Sequence, residues 1–328
     1  LDSKNLTWQQ TLAQAFTQLD DLCHYLKIDA TQLHLLTQHA AFPLLVPKGF
    51  ADCMQPGDPY DPLLRQVLPL QDELTDYPGY SLDPVGDLAA VASAGLIQKY
   101  RGRALLIVTG ACAIHCRYCF RRNFPYAEQQ LSAQKWQAAL NFLHQHTDIS
   151  ELILSGGDPL LFNDQKLAEL LEHLQDIPHL QRIRIHSRVP IVLPERITPT
   201  LLEVLGSVTK PLVLVLHANH ANELRPAVTT ACTQLKQLGV TLLNQSVLLK
   251  GVNDNSPALI HLSEKLFQSD ILPYYLHQLD HAKGTGHFAV PKQQALQLLE
   301  ILRKQLPGYL VPKLVTEQAG AAYKIPLG

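Results

Sequence analysis

A chain of 328 residues exceeds most single domains, but one barrel can fill it, and 46% hydrophobic residues are enough for a large core. Only 17% of residues are charged and the net charge is −2, so no global basic field draws the protein to nucleic acid or anionic lipid. Local arginine clusters therefore call for local chemistry.

The opening stretch, "LDSKNLTWQQTLAQAF", is polar and amphipathic and lacks the apolar run of a signal peptide. No stretch reaches the roughly eighteen apolar residues of a membrane span. The expectation is a cytoplasmic protein with neither nucleic acid nor membrane as partner. Residues 8–40 carry apolar positions at three- and four-residue spacing, among them Leu12, Phe16, Leu19, Leu22 and Tyr25, which predicts helix. From Phe42 to Val91 repeated prolines predict an irregular segment with short helical pieces, too apolar for a linker and suited to wrapping the body.

From residue 104 onward, short runs rich in β-branched residues alternate with helical patterns. Strands are predicted at 104–109, 151–155, 182–187, 211–217, 241–249 and 271–278, and helices at 132–146, 164–175, 221–238 and 256–269. Such alternation gives a parallel α/β sheet with right-handed crossovers. Polar and glycine residues follow nearly every strand, as they do where strand ends converge on one site, so a partial (β/α)6 barrel is favoured over an open doubly wound sheet. The expected division is an N-terminal helical and wrapping region (1–98), the barrel (99–290) and a C-terminal helix with a lysine-bearing segment (291–328).

"ACAIHCRYCFRR" follows the first strand of this series and places Cys112, Cys116 and Cys119 in a C-x3-C-x2-C frame. Structural zinc needs a fourth ligand, and His115 is the only nearby candidate. A [4Fe–4S] cluster on three cysteines instead leaves one iron open for a ligand. Cys23, Cys53 and Cys232 are scattered and read as neutral, unpaired thiols.

With an aromatic, Tyr118, just before the last cysteine, the loop resembles that of the radical S-adenosylmethionine (radical SAM) superfamily. "SGGDPL" (155–160), after the next strand, matches that superfamily's motif beside the S-adenosylmethionine amino group. "SRVPIVLPERIT", "HANHANE", "NQSVLLKGVND", "LDHAKGTGHF" and the C-terminal "TEQAGAAYKIPLG" extend the resemblance, from about Pro78 onward, to the lysine 2,3-aminomutase family. "PGYSLDPVGD" and "YYLHQLD" place the chain nearest the branch devoted to β-lysylation of elongation factor P.

The resemblance implies a radical SAM isomerase that converts (S)-α-lysine to (R)-β-lysine with a [4Fe–4S] cluster, S-adenosylmethionine and pyridoxal phosphate. Cys112, Cys116 and Cys119 match the cluster ligands, and Lys324 matches the catalytic lysine that holds pyridoxal phosphate. Lys99, Tyr100 and Arg103 match the phosphate-binding positions. Gly156, Gly157, Asp158, Ser187, Arg188, His217 and Gln245 match the surroundings of S-adenosylmethionine. Arg121 matches the partner of the substrate carboxylate, and Asp280 and Glu317 match the two acids that receive the lysine side-chain ammonium; for Asp280 the alternative is a cap on the following turn. The catabolic lysine enzymes carry Asp where this chain has Glu317, and their zinc-binding C-terminal extension has no counterpart here.

The implied partners are L-lysine, a flavodoxin- or ferredoxin-type electron donor, and a ligase that attaches β-lysine to elongation factor P. Alternatives are a catabolic lysine aminomutase, a glutamate aminomutase (disfavoured because Asp280 and Glu317 repel a side-chain carboxylate), and a non-catalytic iron–sulfur or zinc protein.

Overall fold

The structure, a computed structural model, describes residues 6–36, 42–93, 95–129 and 131–328. Its centre is one sheet of ten strands ordered as in the sequence: β1 (Val91–Ser93), β2 (Leu96–Tyr100), β3 (Arg103–Thr109), β4 (Glu151–Gly156), β5 (Arg182–Ser187), β6 (Leu212–His217), β7 (Thr241–Val247), β8 (Leu272–His277), β9 (Lys313–Thr316) and β10 (Ile325–Pro326). Neighbours from β3 to β9 are parallel, whereas β1–β2, β2–β3 and β9–β10 are antiparallel. The six predicted strands thus form the parallel heart of the sheet, and the two hairpin extensions were not foreseen.

Strand alternation separates two layers. On β5, Ile183 and Ile185 pack into the core with Leu170 and Leu171 of the helix Asp164–Gln175, while Arg184 and His186 face the lumen. The helices Ala133–Gln145, Asp164–Gln175 and Ser256–Gln268 start on side-chain caps: Ser132, Asn163 and Asn255 each accept a backbone N–H three residues on, at 3.3, 2.9 and 3.0 Å. The C-terminal ends of the parallel strands β3–β9 lie at the same edge of the sheet, which is where the polar residues collect.

The first region differs from the expected run of helix. It contains the short helices Trp8–Ala13 and Leu19–Tyr25, and residues 37–40 of the predicted helix lie outside the described residues. The break has a local cause: Phe16 exchanges two backbone hydrogen bonds with Val46, at 2.8 and 3.0 Å, which a helical residue could not do. The proline-rich segment does wrap the barrel. Its Phe50, Leu64 and Leu68 share a single core with Leu106, Leu154 and Leu216 of the sheet.

At the other end, the helix Lys292–Gln305 buries Leu298, Leu299 and Leu302 against Leu276 and Leu314, which docks β9 beside β8. β10 then folds back on β9, with Ile325 opposite Thr316. This pairing brings Lys324 face to face with Glu317.

Candidate active site

A cavity of about 480 Å³ occupies the lumen and the C-terminal strand ends, within the usual range for small-molecule sites. Every residue singled out for the site in the sequence lines it: Cys112, Cys116, Cys119, Gly156, Gly157, Asp158, Ser187, Arg188, His217, Gln245, Lys99, Tyr100, Arg103, Arg121, Asp280, Glu317 and Lys324.

The cysteine loop runs from β3 over the end of β4. Gly157 and Asp158 donate their N–H groups to Thr109 and Ala111 carbonyls, both at 2.7 Å. A Cβ on Gly157 would lie 2.2 Å from the Ala111 carbonyl oxygen, and Gly156 has φ of +123°. The glycine pair is therefore demanded by backbone lying on backbone beneath the loop. All six cysteines are free, and among the described residues no group of His, Cys, Asp or Glu closes tightly enough for a single ion. Burial, then Cys116, pushes the Cys119 thiol up to about 11, and Cys112 is raised by burial, then by Cys119, Asp158 and Cys116. The three cysteines line one cavity. His115 does not join them: its Nδ1 meets the Pro43 carbonyl at 2.8 Å and its ring stacks on Phe42.

Beside Cys116 stands a buried polar network. Arg188 donates to Cys116 Sγ (2.7 Å), the Tyr118 hydroxyl (2.6 Å), Gln66 (2.8 Å) and Glu223 (3.0 Å). Tyr118 also meets His217 Nε2 at 2.8 Å and receives Asn219 at 2.7 Å. Asp158 accepts from the Ser187 hydroxyl (2.7 Å) and from the backbone of Leu160, Arg188 and Val189. Burial pushes its carboxyl up to about 6 against those donors. Its lone pairs are largely spent on the β4 and β5 loops, so it orders the rim.

The remaining charges form a second cluster. Asp87 pairs with Arg121 (2.6 Å) and Lys99 (2.5 Å), and Lys99 also pairs with Glu317 at 2.8 Å. Glu317 receives Lys324 as well. Burial alone would raise the Glu317 carboxyl, but Lys324 and Lys99 bring it down to about 2. Asp280 is the opposite case: burial, then the Glu317 charge, pushes it up to about 7, and its carboxylate makes no ion pair among the described residues. The Asp280 carbonyl, not its carboxylate, receives the Ala282 N–H at 2.7 Å, so the side chain does not cap that turn. Tyr100 and Arg103 face each other across the two-residue turn at Gly102, with the guanidinium 5.0 Å from the ring.

Sequence reasoning missed Gln66, Glu73, Asp87, Asn219 and Glu223. Asn219 and Glu223 stand in "HANHANE" and Asp87 ends "PGYSLDPVGD", so the stretches were noticed before their roles. Gln66 and Glu73 gave no signal, because their importance lies in what they meet across the fold.

The radical SAM superfamily model matches residues 106–262. Along almost the whole chain, 48% of 322 aligned residues are identical to the L-lysine 2,3-aminomutase of Escherichia coli (strain K12), covering 98% of this chain and 94% of that protein. The chain belongs to the lysine 2,3-aminomutase family. Proteins of the same name from Haemophilus influenzae (47% over 283 residues, 86% and 84% of the two chains) and Buchnera aphidicola (42% over 320 residues, 97% and 94%) agree. The enzyme is a radical SAM isomerase, with a [4Fe–4S] cluster and S-adenosylmethionine as cofactors. Three free thiols lining one cavity fit that cluster. When bound, the pair supplies a carbon radical able to take hydrogen from an unactivated C–H bond.

Proposed function

We propose that this enzyme interconverts (S)-α-lysine and (R)-β-lysine, with pyridoxal phosphate held on Lys324, and that its product passes to a ligase modifying elongation factor P. One observation carries the reading: Asp280 is a half-buried carboxylate that makes no ion pair among the described residues, and it lines the same cavity as Glu317 and Lys324. A charge in that position needs an ammonium partner.

Each residue then has a task. Cys112, Cys116 and Cys119 hold the cluster, and Gly156, Gly157, Ser187, His217 and Gln245 surround S-adenosylmethionine, with Asp158 and Arg188 fixing the loops around it. Lys324, kept close by Glu317, presents its amine to pyridoxal phosphate. Arg103 and Tyr100 face the phosphate, and Lys99 adds its charge while bridging Asp87 and Glu317. Pyridoxal phosphate, when bound, supplies a π-system through which nitrogen can move between adjacent carbons. Arg121, anchored through Nε to Asp87 and through Nη1 to Ser155 (3.3 Å), leaves Nη2 for the substrate carboxylate. Asp280 receives the distal ammonium. The enclosing barrel excludes water from the reacting centre. The elongation factor role is supported by the resemblance of "PGYSLDPVGD" and "YYLHQLD" to that branch.

The test is anaerobic reconstitution with iron, sulfide, pyridoxal phosphate and S-adenosylmethionine, followed by NMR detection of β-lysine from L-lysine. Borohydride reduction should fix a pyridoxyl label on Lys324 and leave Lys324→Ala unlabelled. A colourless zinc protein, or a label on another lysine, refutes the assignment. Intact-mass measurement of elongation factor P, incubated with the ligase and the reaction product, tests the destination.

A further inference from the structure

The cavity wall contains an imidazole that none of these roles uses. His186 faces the lumen from β5 and lines the cavity. Ile185 pairs with Leu154, so the next residues, His186 and Ser155, are neighbours across β4 and β5. Ser155 is the hydroxyl that receives Arg121 Nη1. His186 therefore stands on the Arg121 side of the cavity, whereas His277 stands between Val247 and Val315, near Glu317.

His186 Nε2 is buried and has no hydrogen-bond partner among the described residues. Buried polar atoms are ordinarily paired, and one left over beside a cavity calls for a ligand atom. The chemistry of that atom is constrained. Burial, then the charges of Arg184, Lys324 and Arg121, holds the ring well below its ordinary pKa, so it is neutral and carries one N–H. Of the cations around it, Arg184 and Lys324 are paired with Glu151 and Glu317, whereas Arg121 meets Asp87 and Ser155 through Nε and Nη1 and keeps Nη2 for a further acceptor, which favours an anionic oxygen there.

We infer that His186 hydrogen-bonds the substrate's α-carboxylate and, with Arg121, clamps the end of the amino acid opposite Asp280. The inference rests on the reading of Arg121 and Asp280 given above. An oxygen of pyridoxal phosphate is the competing acceptor, and the experiment separates the two.

Cluster- and pyridoxal-loaded enzyme is titrated calorimetrically, without reductant, with L-lysine and with cadaverine, which keeps both amines and lacks the carboxylate. Wild type should prefer lysine. His186→Phe should lose roughly tenfold or more in lysine affinity, the scale of a hydrogen bond to a charged group, with cadaverine affinity and the resting pyridoxal absorbance unchanged. His186→Gln, which retains a donor, should recover much of the preference and serves if the Phe variant does not fold. Equal weakening of both ligands, or a shifted pyridoxal band before ligand is added, overturns the inference. Unchanged lysine preference in both variants overturns it too, while leaving the aminomutase reading intact. A wild-type protein that binds no lysine overturns both.

Discussion

Glu73, in the proline-rich segment, grips Arg117 of the cysteine loop at two points, with Nε–Oε1 at 2.7 Å and Nη2–Oε2 at 2.5 Å, and both side chains are buried. Its second oxygen also receives Arg122 at 2.6 Å. Burial would raise this carboxyl, but Arg117 and Arg122 hold it below the usual range. Asp87 does the same for Arg121, and Gln66 for Arg188. One irregular segment thus fixes the arginines on and beside the cysteine loop.

Glu73→Ala should destabilise the protein by about 3–5 kcal/mol, because it strands buried guanidinium groups. Denaturant unfolding measures the loss, and iron content after reconstitution should fall with it. A variant of wild-type stability would show that water or another acid replaces Glu73.

Gly157→Ala should cost cluster loading more than global stability. The new methyl meets the Ala111 carbonyl in the loop that carries Cys112, and the loop can shift where the sheet cannot. Iron per chain, measured beside the thermal midpoint, separates the two effects.

Cys116→Ala should abolish both cluster loading and cleavage of S-adenosylmethionine while retaining most of the fold. Its sulfur lies at the barrel mouth, partly buried against the core. Normal cleavage in this variant would remove the cysteine assignment.

Asp280 gives a signed pH dependence. Its folded pKa, about 7, is raised above the ordinary carboxyl value near 4. In that window the folded state binds the extra proton, so the carboxyl's contribution to stability is complete below about pH 4 and is lost as pH rises through 7. Asp280→Asn should therefore be more stable than wild type at pH 8 and lose that advantage by pH 5, as thermal melts would show. Lysine binding should run the other way. Affinity should rise from pH 6 to 8 in wild type, where the carboxylate forms, and be weak and flat in the Asn variant. A parallel fall in S-adenosylmethionine binding would instead indicate general damage.

Strand β5 was legible in the sequence because its period-2 pattern, "RIRIHS", is a local consequence of facing a core on one side and a lumen on the other. Cys112, Cys116 and Cys119 were legible for a similar reason: close spacing on one loop forces their sulfurs together wherever the loop lies. The role proposed for Lys324 rests on resemblance, since a single lysine carries no local signature of such a role.

Tertiary structure alone decided which charges are spoken for. Glu317 and Asp280 looked equivalent in the sequence, yet the β9–β10 hairpin hands Glu317 Lys324 and β2 hands it Lys99, while Asp280 has no ion pair among the described residues. Lys99 read as a phosphate ligand and sits between two carboxylates. Glu73, Gln66 and Asp87 acquire their meaning 34 to 122 positions away, through partners set by how the segment wraps. Backbone periodicity is set by near neighbours and can be read along the chain. Charge compensation is set by which groups share a buried volume, and only the folded chain determines that.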